Sequence, residues 1–296
     1  MPRGDSQTTR LDRPQVSVVI PTHNRESTIA RALQSVLQQS TRQLEVIVVD
    51  DGSVDATVRK IESIADPRVK VISLPDRRGA NAARNQGVKA STSEWIAFQD
   101  SDDEWLPFKL EMHLARAAES GADVIWSPVL TDSSDPRTVT TTHEFGPIVG
   151  ALCSGNFISL QATLVSRAAF ETVGGLDETL PRYQDWDLWL KLAAAGFAFA
   201  EHRTPSVRLY LSDDSLTANS SLYGAAMGAL LTNHASIYRL YPHAEIKHRS
   251  RLIRHHLRNR APVAATRQLV HSVRPIATMA FRYARHISNE ERPLTQ

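Results

Sequence analysis

The first hundred residues alternate four short apolar runs with stretches of helical spacing, a pattern that few architectures satisfy. Val16-Ser17-Val18-Val19-Ile20 stops at Pro21, and Ile29, Ala32, Leu33, Val36 and Leu37 then recur at the spacing of one helical face. Leu44-Glu45-Val46-Ile47-Val48-Val49 is the second run; a helix is expected over 56–64, a third strand over 69–74, a helix over 79–89 and a fourth strand over 95–99. Strand alternating with helix predicts a mainly parallel sheet covered by helices on both faces. In such sheets ligands bind beyond the carboxyl ends of the strands. Three polar clusters sit at those ends, Thr22-His23-Asn24, Asp50-Asp51 and Asp100-Ser101-Asp102-Asp103, so the pattern predicts that they converge on one cleft.

The last cluster is the most informative. Three carboxylates fall within four residues, directly after Trp95-Ile96-Ala97-Phe98-Gln99. Like charges this close stay ionised together only with solvent, donors or a cation. Hard oxygen ligands at a strand end suit a divalent metal carrying a phosphorylated ligand. A solvated acidic turn is the competing reading, and it prevails for an isolated Asp-x-Asp. For Asp50-Asp51 a helix-capping turn around Gly52-Ser53 competes with binding. Arg84-Asn85 offers a cation and an amide on one helical face, suited to a phosphate or to a surface ion pair. Asp185 and Asp187 flank Trp186 at an expected helix start over 186–195. They fit either the helix dipole or a general base.

The remaining chain is less regular. A helix is expected over 106–120, strands over 123–127 and 162–166, and a surface loop or extended hairpin over 131–142. After about residue 222 the pattern is helical and basic. Residues 234–296 carry 12 Lys and Arg against 3 Asp and Glu, leaving 22 against 29 in residues 1–233: a body of −7 and a tail of +9. Such a split predicts that the tail meets something anionic, whether the body, a membrane surface or nucleic acid. The single cysteine, Cys153, excludes an intramolecular disulfide framework and a cysteine-rich zinc site. Residues 1–13 are polar, so no secretory leader is expected, and no run of about 18 apolar residues suggests a membrane span.

Taken in order, five segments resemble a known family. They are Val18-Val19-Ile20-Pro21-Thr22-His23-Asn24-Arg25, Val48-Val49-Asp50-Asp51-Gly52-Ser53, Gly79 with Ala83-Arg84-Asn85, Phe98-Gln99-Asp100-Ser101-Asp102-Asp103, and Gly174-Gly175-Leu176-Asp177 with Gln184-Asp185-Trp186-Asp187-Leu188. The chain is similar to family 2 glycosyltransferases with the GT-A fold over residues 14–217. The resemblance implies an α/β, Rossmann-like GT-A domain over 14–221, preceded by a flexible tail (1–13) and followed by a basic helical extension (222–296). It implies an inverting enzyme that uses a nucleoside-diphosphate sugar, UDP-linked by default, to glycosylate a saccharide or lipid-linked acceptor in envelope glycan synthesis. Pro21, Thr22, Asn24, Arg25, Asp51, Arg84, Asn85, Asp100 and Ser101 would bind the donor. Asp102, with Asp100, would hold Mn2+ or Mg2+, and Asp185 would be the catalytic base. The expected location is cytoplasmic, with peripheral contact to anionic membrane through the tail and no nucleic acid.

One departure concerns the segment Val207-Arg208-Leu209-Tyr210-Leu211-Ser212. Ser212 stands where many relatives carry a histidine that assists the metal or diphosphate, so no histidine role is transferred. A degenerate member acting as a nucleotide-sugar-binding or scaffold module is the alternative. A haloacid-dehalogenase-type phosphatase fits poorly, because its Asp-x-Asp ends the first core strand. A receiver domain carries its acidic pair after the first strand, and a pyrophosphorylase needs a Gly-rich loop where Pro21-Thr22-His23-Asn24-Arg25 stands.

Overall fold

In the computed structural model the described residues are 14–131, 138–139, 148–210 and 222–290. They belong to two compact units. The first contains 14–131, 138–139, 157–179 and 184–210; the second contains 148–156, 180–183 and 222–290.

The first unit begins with the expected alternation: β1 (Val16–Thr22), α1 (Ile29–Leu37), β2 (Leu44–Asp50), α2 (Thr57–Glu62), β3 (Val69–Ser73), α3 (Ala80–Ala90) and β4 (Trp95–Phe98). β5 (Glu104–Trp105), α4 (Lys109–Ser120), β6 (Val124–Trp126), β7 (Val129–Thr131) and β8 (Thr138–Val139) follow. α5 (Ile148–Ser154) belongs to the second unit, and β9 (Thr163–Ser166), α6 (Arg167–Thr172), α7 (Gln184–Ala194), β10 (Phe199–Glu201) and β11 (Val207–Leu209) return to the first. α4 starts three residues later than the spacing predicts, because Pro107 disfavours helical geometry at Leu106.

Among the described residues, seven strands form one sheet in the order β10-β6-β9-β4-β1-β2-β3. β1 pairs in parallel with β2 and β4, and β2 with β3; β9 alone runs against its neighbours β4 and β6. Every residue of β1 and β2 is buried. Their period-2 alternation divides the core between two faces. Val46 and Val48 pack with Ile29, Leu33 and Val36 of α1. Ile47 and Val49 pack with Ala83 of α3. A second sheet, β5-β11-β7-β8, carries short strands of which the sequence pattern shows only the hairpin alternative over 131–142. In it β7 pairs antiparallel with β8, Val129 opposite Val139, as an extended hairpin requires.

The second unit consists of α5, α8 (Tyr223–Asn233), α9 (Ala235–Tyr238), α10 (Pro242–Arg258) and α11 (Pro262–Glu290). Residues 148–156 and 180–183 group with these C-terminal helices. α5 is tied to α10 by His248 Nε2 against Cys153 O at 2.8 Å and by Lys247 Nζ donating to Ser154 O at 2.9 Å. Among the described residues no helix is long and apolar enough to cross a membrane.

Candidate active site

Parallel pairing delivers the carboxyl ends of β1, β2 and β4 to one edge of the sheet. Thr22 lies opposite Asp50, and the Gln99 N–H extends the ladder by donating to Val19 O at 3.0 Å. The chain proceeds from β1 to β2 and β3 on one side, while β4 lies on the other. Such a reversal of strand order is where open α/β sheets form their crevice.

The loops after β1 and β2 brace each other. Asn24 adopts the left-handed region (φ 51°), which asparagine tolerates well. Its N–H donates to Ser53 Oγ at 2.8 Å, and its Oδ1 accepts from Val54 N at 2.9 Å. His23 Nδ1 lies 2.8 Å from Asp51 O, and Arg25 N donates to Thr57 Oγ1 at 2.7 Å. Pro21 and Thr22 are buried, and no protein group meets Thr22 Oγ1 among the described residues.

The two aspartates at the end of β2 divide the work. Asp50 Oδ2 accepts from Ser53 N at 3.1 Å, the turn contact expected around Gly52-Ser53. Asp51 reaches the loop before α3, where its two oxygens accept from Arg78 N at 2.6 Å and Gly79 N at 2.8 Å. Gly79 has φ 92°, a conformation that a side chain would strain. Asp51 therefore fixes the start of the helix that carries Arg84 and Asn85.

Arg84 and Asn85 turn to different tasks. Arg84 is buried and donates through Nη2 to Asp100 Oδ1 at 2.6 Å, while its Nε and Nη1 meet no protein acceptor among the described residues. Asn85 clamps the Gly174-Gly175-Leu176 turn: Nδ2 donates to Leu176 O at 2.9 Å and Glu178 Oε1 at 3.0 Å, and Oδ1 accepts from Leu176 N at 3.1 Å. Gly175 is needed at that clamp, since its φ is 70° and a Cβ would stand 3.0 Å from Asn85 Oδ1.

Asp100 and Asp102 are partly exposed, at 35% and 30% of the side chain, whereas Ser101 and Asp103 are buried. Burial, followed by the neighbouring Asp100 charge, raises the Asp102 carboxyl above its ordinary range. Arg25, 3.7 Å away, compensates in part. The Arg31 guanidinium donates to the Asp102 carbonyl and stacks 3.7 Å over the Tyr210 ring. Asp103 faces inward and accepts from Tyr210 N and Gln161 Nε2, each at 2.7 Å. Burial pushes its carboxyl up to about 7. Sequence reasoning did not find Arg31, Gln161 or Tyr210. They reach the loop from α1, the segment before β9 and the end of β11, and none carries a local motif.

A divalent cation suits this donor set. Two partly exposed hard carboxylates stand close enough for the Asp100 charge to raise the Asp102 carboxyl, and a cation would relieve that repulsion. Among the described residues no group of three or more His, Cys, Asp or Glu is placed to hold a metal. Asp100 and Asp102 would therefore share the ion with ligand oxygens or water. Ser212 lies outside the described residues.

Asp185 occupies the first turn of α7, where its Oδ1 accepts from Trp186 N at 2.8 Å. Asp187 is fully buried and pairs with Lys191 at 2.7 Å. Lys191 also donates to Gly175 O at 3.4 Å, so α7 and α3 hold the same glycine turn from two sides. Trp189 Nε1 donates to Ile158 O at 3.0 Å, fixing the helix rotation.

Residues 17–171 match the model described as Glycosyl transferase family 2. The chain is similar to the succinoglycan biosynthesis protein ExoO of Rhizobium meliloti (strain 1021), at 40% identity over 131 residues, 44% of this chain and 38% of that protein. It is also similar to the Escherichia coli UDP-Glc:alpha-D-GlcNAc-diphosphoundecaprenol beta-1,3-glucosyltransferase WfgD, at 39% over 105 residues, 36% and 42% of the two chains. The matched regions thus span well under half the length of these curated relatives. Among solved structures, S. aureus TarS 1-349 in complex with UDP-GlcNAc superimposes with a TM-score of 0.62 at 17% identity, covering 91% of this chain and 92% of that one. The mannosyltransferase PcManGT from Pyrobaculum calidifontis, in complex with GDP-Man and Mn2+, gives 0.60 at 17% identity, covering 93% and 81%. At these identities the likeness shows the fold: the mixed, mainly parallel α/β architecture of GT-A proteins, with helices at the C-terminus.

Proposed function

The chain belongs to glycosyl transferase family 2, and from that membership we propose an enzyme that moves a sugar from a nucleoside-diphosphate sugar to an acceptor hydroxyl during synthesis of a cell-envelope polysaccharide or glycolipid. The observation that carries this reading is the partly exposed Asp100 and Asp102 pair beyond the β4 end, with the buried Arg84 against Asp100. Envelope glycan synthesis is supported by the names of the relatives, succinoglycan biosynthesis and transfer to a diphosphoundecaprenol-linked sugar. UDP is the default carrier: WfgD is named for UDP-Glc and TarS is bound to UDP-GlcNAc, although PcManGT holds GDP-Man.

In this reading the loops carrying Pro21, Thr22, Asn24, Arg25 and Asp51 shape the nucleoside end of the cleft, and Ser101 lies between the two outward carboxylates. Arg25 and Arg84 supply positive charge beside the diphosphate. Asn85 contributes by holding the Gly174-Gly175 turn. Asp102 and Asp100 would hold Mn2+ or Mg2+, which when bound neutralises charge on a departing diphosphate. Asp185 takes the proton of the acceptor hydroxyl as that oxygen bonds to the anomeric carbon from the face opposite the leaving group. The carbon–oxygen bond to the nucleoside diphosphate breaks in the same step, so configuration inverts and no sugar is attached to the protein.

The test has two arms. A thermal-shift screen of nucleoside diphosphates and sugar nucleotides, with and without Mn2+, identifies the donor, since a ligand of the native state raises stability by mass action. With that donor, Asp185→Asn should slow transfer by about 10²–10⁴-fold at nearly unchanged donor affinity. Near wild-type turnover in the variant would remove the base assignment. Donor binding without turnover in the wild type, across candidate acceptors, would favour a binding module.

A further inference from the structure

α11 has two different sides. Ala265 and Ser272 are buried, and Gln268 accepts from Arg249 of α10 at 2.9 Å, so these positions define the side packed on α10. At 100° per residue, Val263 and Val270 fall opposite that side, and Val273, Leu269 and Ile276 follow in turn round one flank, Leu269 and Ile276 standing one turn on from the buried Ala265 and Ser272. All five are exposed, from 53% at Ile276 to 83% at Val263. Arg267, His271 and Arg274 line the adjoining edge of the helix. Single exposed aliphatic residues are ordinary on a protein surface. Five on one continuous flank of the helix, beside a row of cations, form an apolar surface that stays exposed among the described residues.

The charge of the unit selects the partner. Between residues 222 and 279 there are nine Lys and Arg and one acidic residue, Glu245. That carboxylate is already paired with Arg249 at 2.7 Å. A second copy of the chain docking stripe to stripe would bring like charges together. A nucleic acid would meet the arginines but gain nothing from valine and isoleucine, which offer no aromatic face for bases. An anionic bilayer meets both halves of the pattern: aliphatic side chains enter the acyl boundary while arginines remain among lipid phosphates.

We propose that α11 is an interfacial helix that lies on a membrane surface bearing anionic phospholipid, with Val263, Leu269, Val270, Val273 and Ile276 inserted and Arg267 and Arg274 in the headgroup layer. This stands independently of the transferase reading, because no residue of the candidate active site takes part.

The experiment is co-sedimentation of the full chain with vesicles of phosphatidylcholine alone and of phosphatidylcholine mixed with phosphatidylglycerol. Binding is expected to the mixed vesicles and to weaken as salt rises. Val270→Asn with Val273→Asn should lower partitioning at least about tenfold, since two inserted side chains become polar, with unchanged melting temperature. Arg267→Gln with Arg274→Gln should remove much of the preference for the anionic lipid. Three outcomes overturn the proposal: no wild-type binding to mixed vesicles, wild-type binding by the valine double variant, or a self-associating chain whose dimer, rather than its vesicle binding, is lost in that variant. Duplex DNA binding as tight as vesicle binding, and indifferent to the valine changes, would assign the surface to nucleic acid instead.

Discussion

The parallel half of the large sheet and the C-terminal helices handle apolar residues in opposite ways. β1 and β2 bury all of their side chains, and the polar residues of that half collect at the strand ends. α11 buries one side and leaves five aliphatic residues exposed on another. Where both faces of an element are covered, the chain can place chemistry only at its ends. Where one face is left open, the side of the element itself is available to an outside surface.

The strand-end pair should be functionally dominant and structurally dispensable. Asp102→Asn should weaken Mn2+-dependent binding of a nucleoside diphosphate by more than the 10–100-fold that typically follows loss of an outer-shell partner. Metal-free binding of the nucleoside should change little. Titration calorimetry with and without Mn2+ reads both, and equal losses would end the metal assignment. Because burial and the Asp100 charge both disfavour the ionised Asp102, the variant should fold at least as stably as the wild type.

Asp103, one residue on, belongs to the interior and should show it through pH. Its carboxyl is held at about 7 against an ordinary 3.8, with burial the leading cause. The folded protein therefore retains a proton that the unfolded chain has released between those values. The stability linked to this proton is fully present below about 4 and is lost as pH rises through 7. The shift corresponds to at most on the order of 4 kcal/mol. The melting temperature of wild type relative to Asp103→Asn should be most favourable near pH 4 and decline toward pH 8. A difference independent of pH would show that Asp103 does not titrate in this range.

How much could be read in advance follows the same division. β1 to β4 were legible because long β-branched runs and helical spacing are local signals, and so was the gathering of Thr22, Asp50, Asp51 and Asp100 at one edge. The small sheet was not, since β5, β7, β8 and β11 are two or three residues long and acquire strand geometry only by pairing across the chain. The partners of the acidic loop were hidden for a related reason. Arg31 meets Asp102 across 71 residues, and Tyr210 meets Asp103 across 107. The tail's charge was plain in the sequence, but which side of α11 faces α10 became visible only in the packing.

Core substitutions should be the most costly to stability on the sheet side. Ile47→Ala leaves a cavity between β2 and α3 and should cost about 2–5 kcal/mol. Gly87→Ala should cost about 1–3 kcal/mol by overpacking: its Cβ would overlap Val19 Cγ1 and crowd Val49 Cγ2 at 3.2 Å. Gly228 in α8 of the second unit is the contrast, because among the described residues a Cβ there meets nothing within 4 Å. Gly228→Ala should stabilise by up to about 1 kcal/mol through helix propensity. Urea midpoints for the pair would test this, and equal signs would contradict the packing described.

The smallest effect is the most discriminating for the helical side. Ile276→Ala makes the same truncation as Ile47→Ala, but at a side chain that is 53% exposed on the flank of α11. Little buried area is lost, and alanine is the better helix former, so the two terms oppose each other. The unfolding free energy without lipid should change by no more than about 0.5 kcal/mol. A stripe that serves folding would give a loss approaching that of Ile47→Ala, and the exposed face would then have a partner within the chain. A stripe that serves an external surface gives the small value, and its cost appears only when vesicles are added.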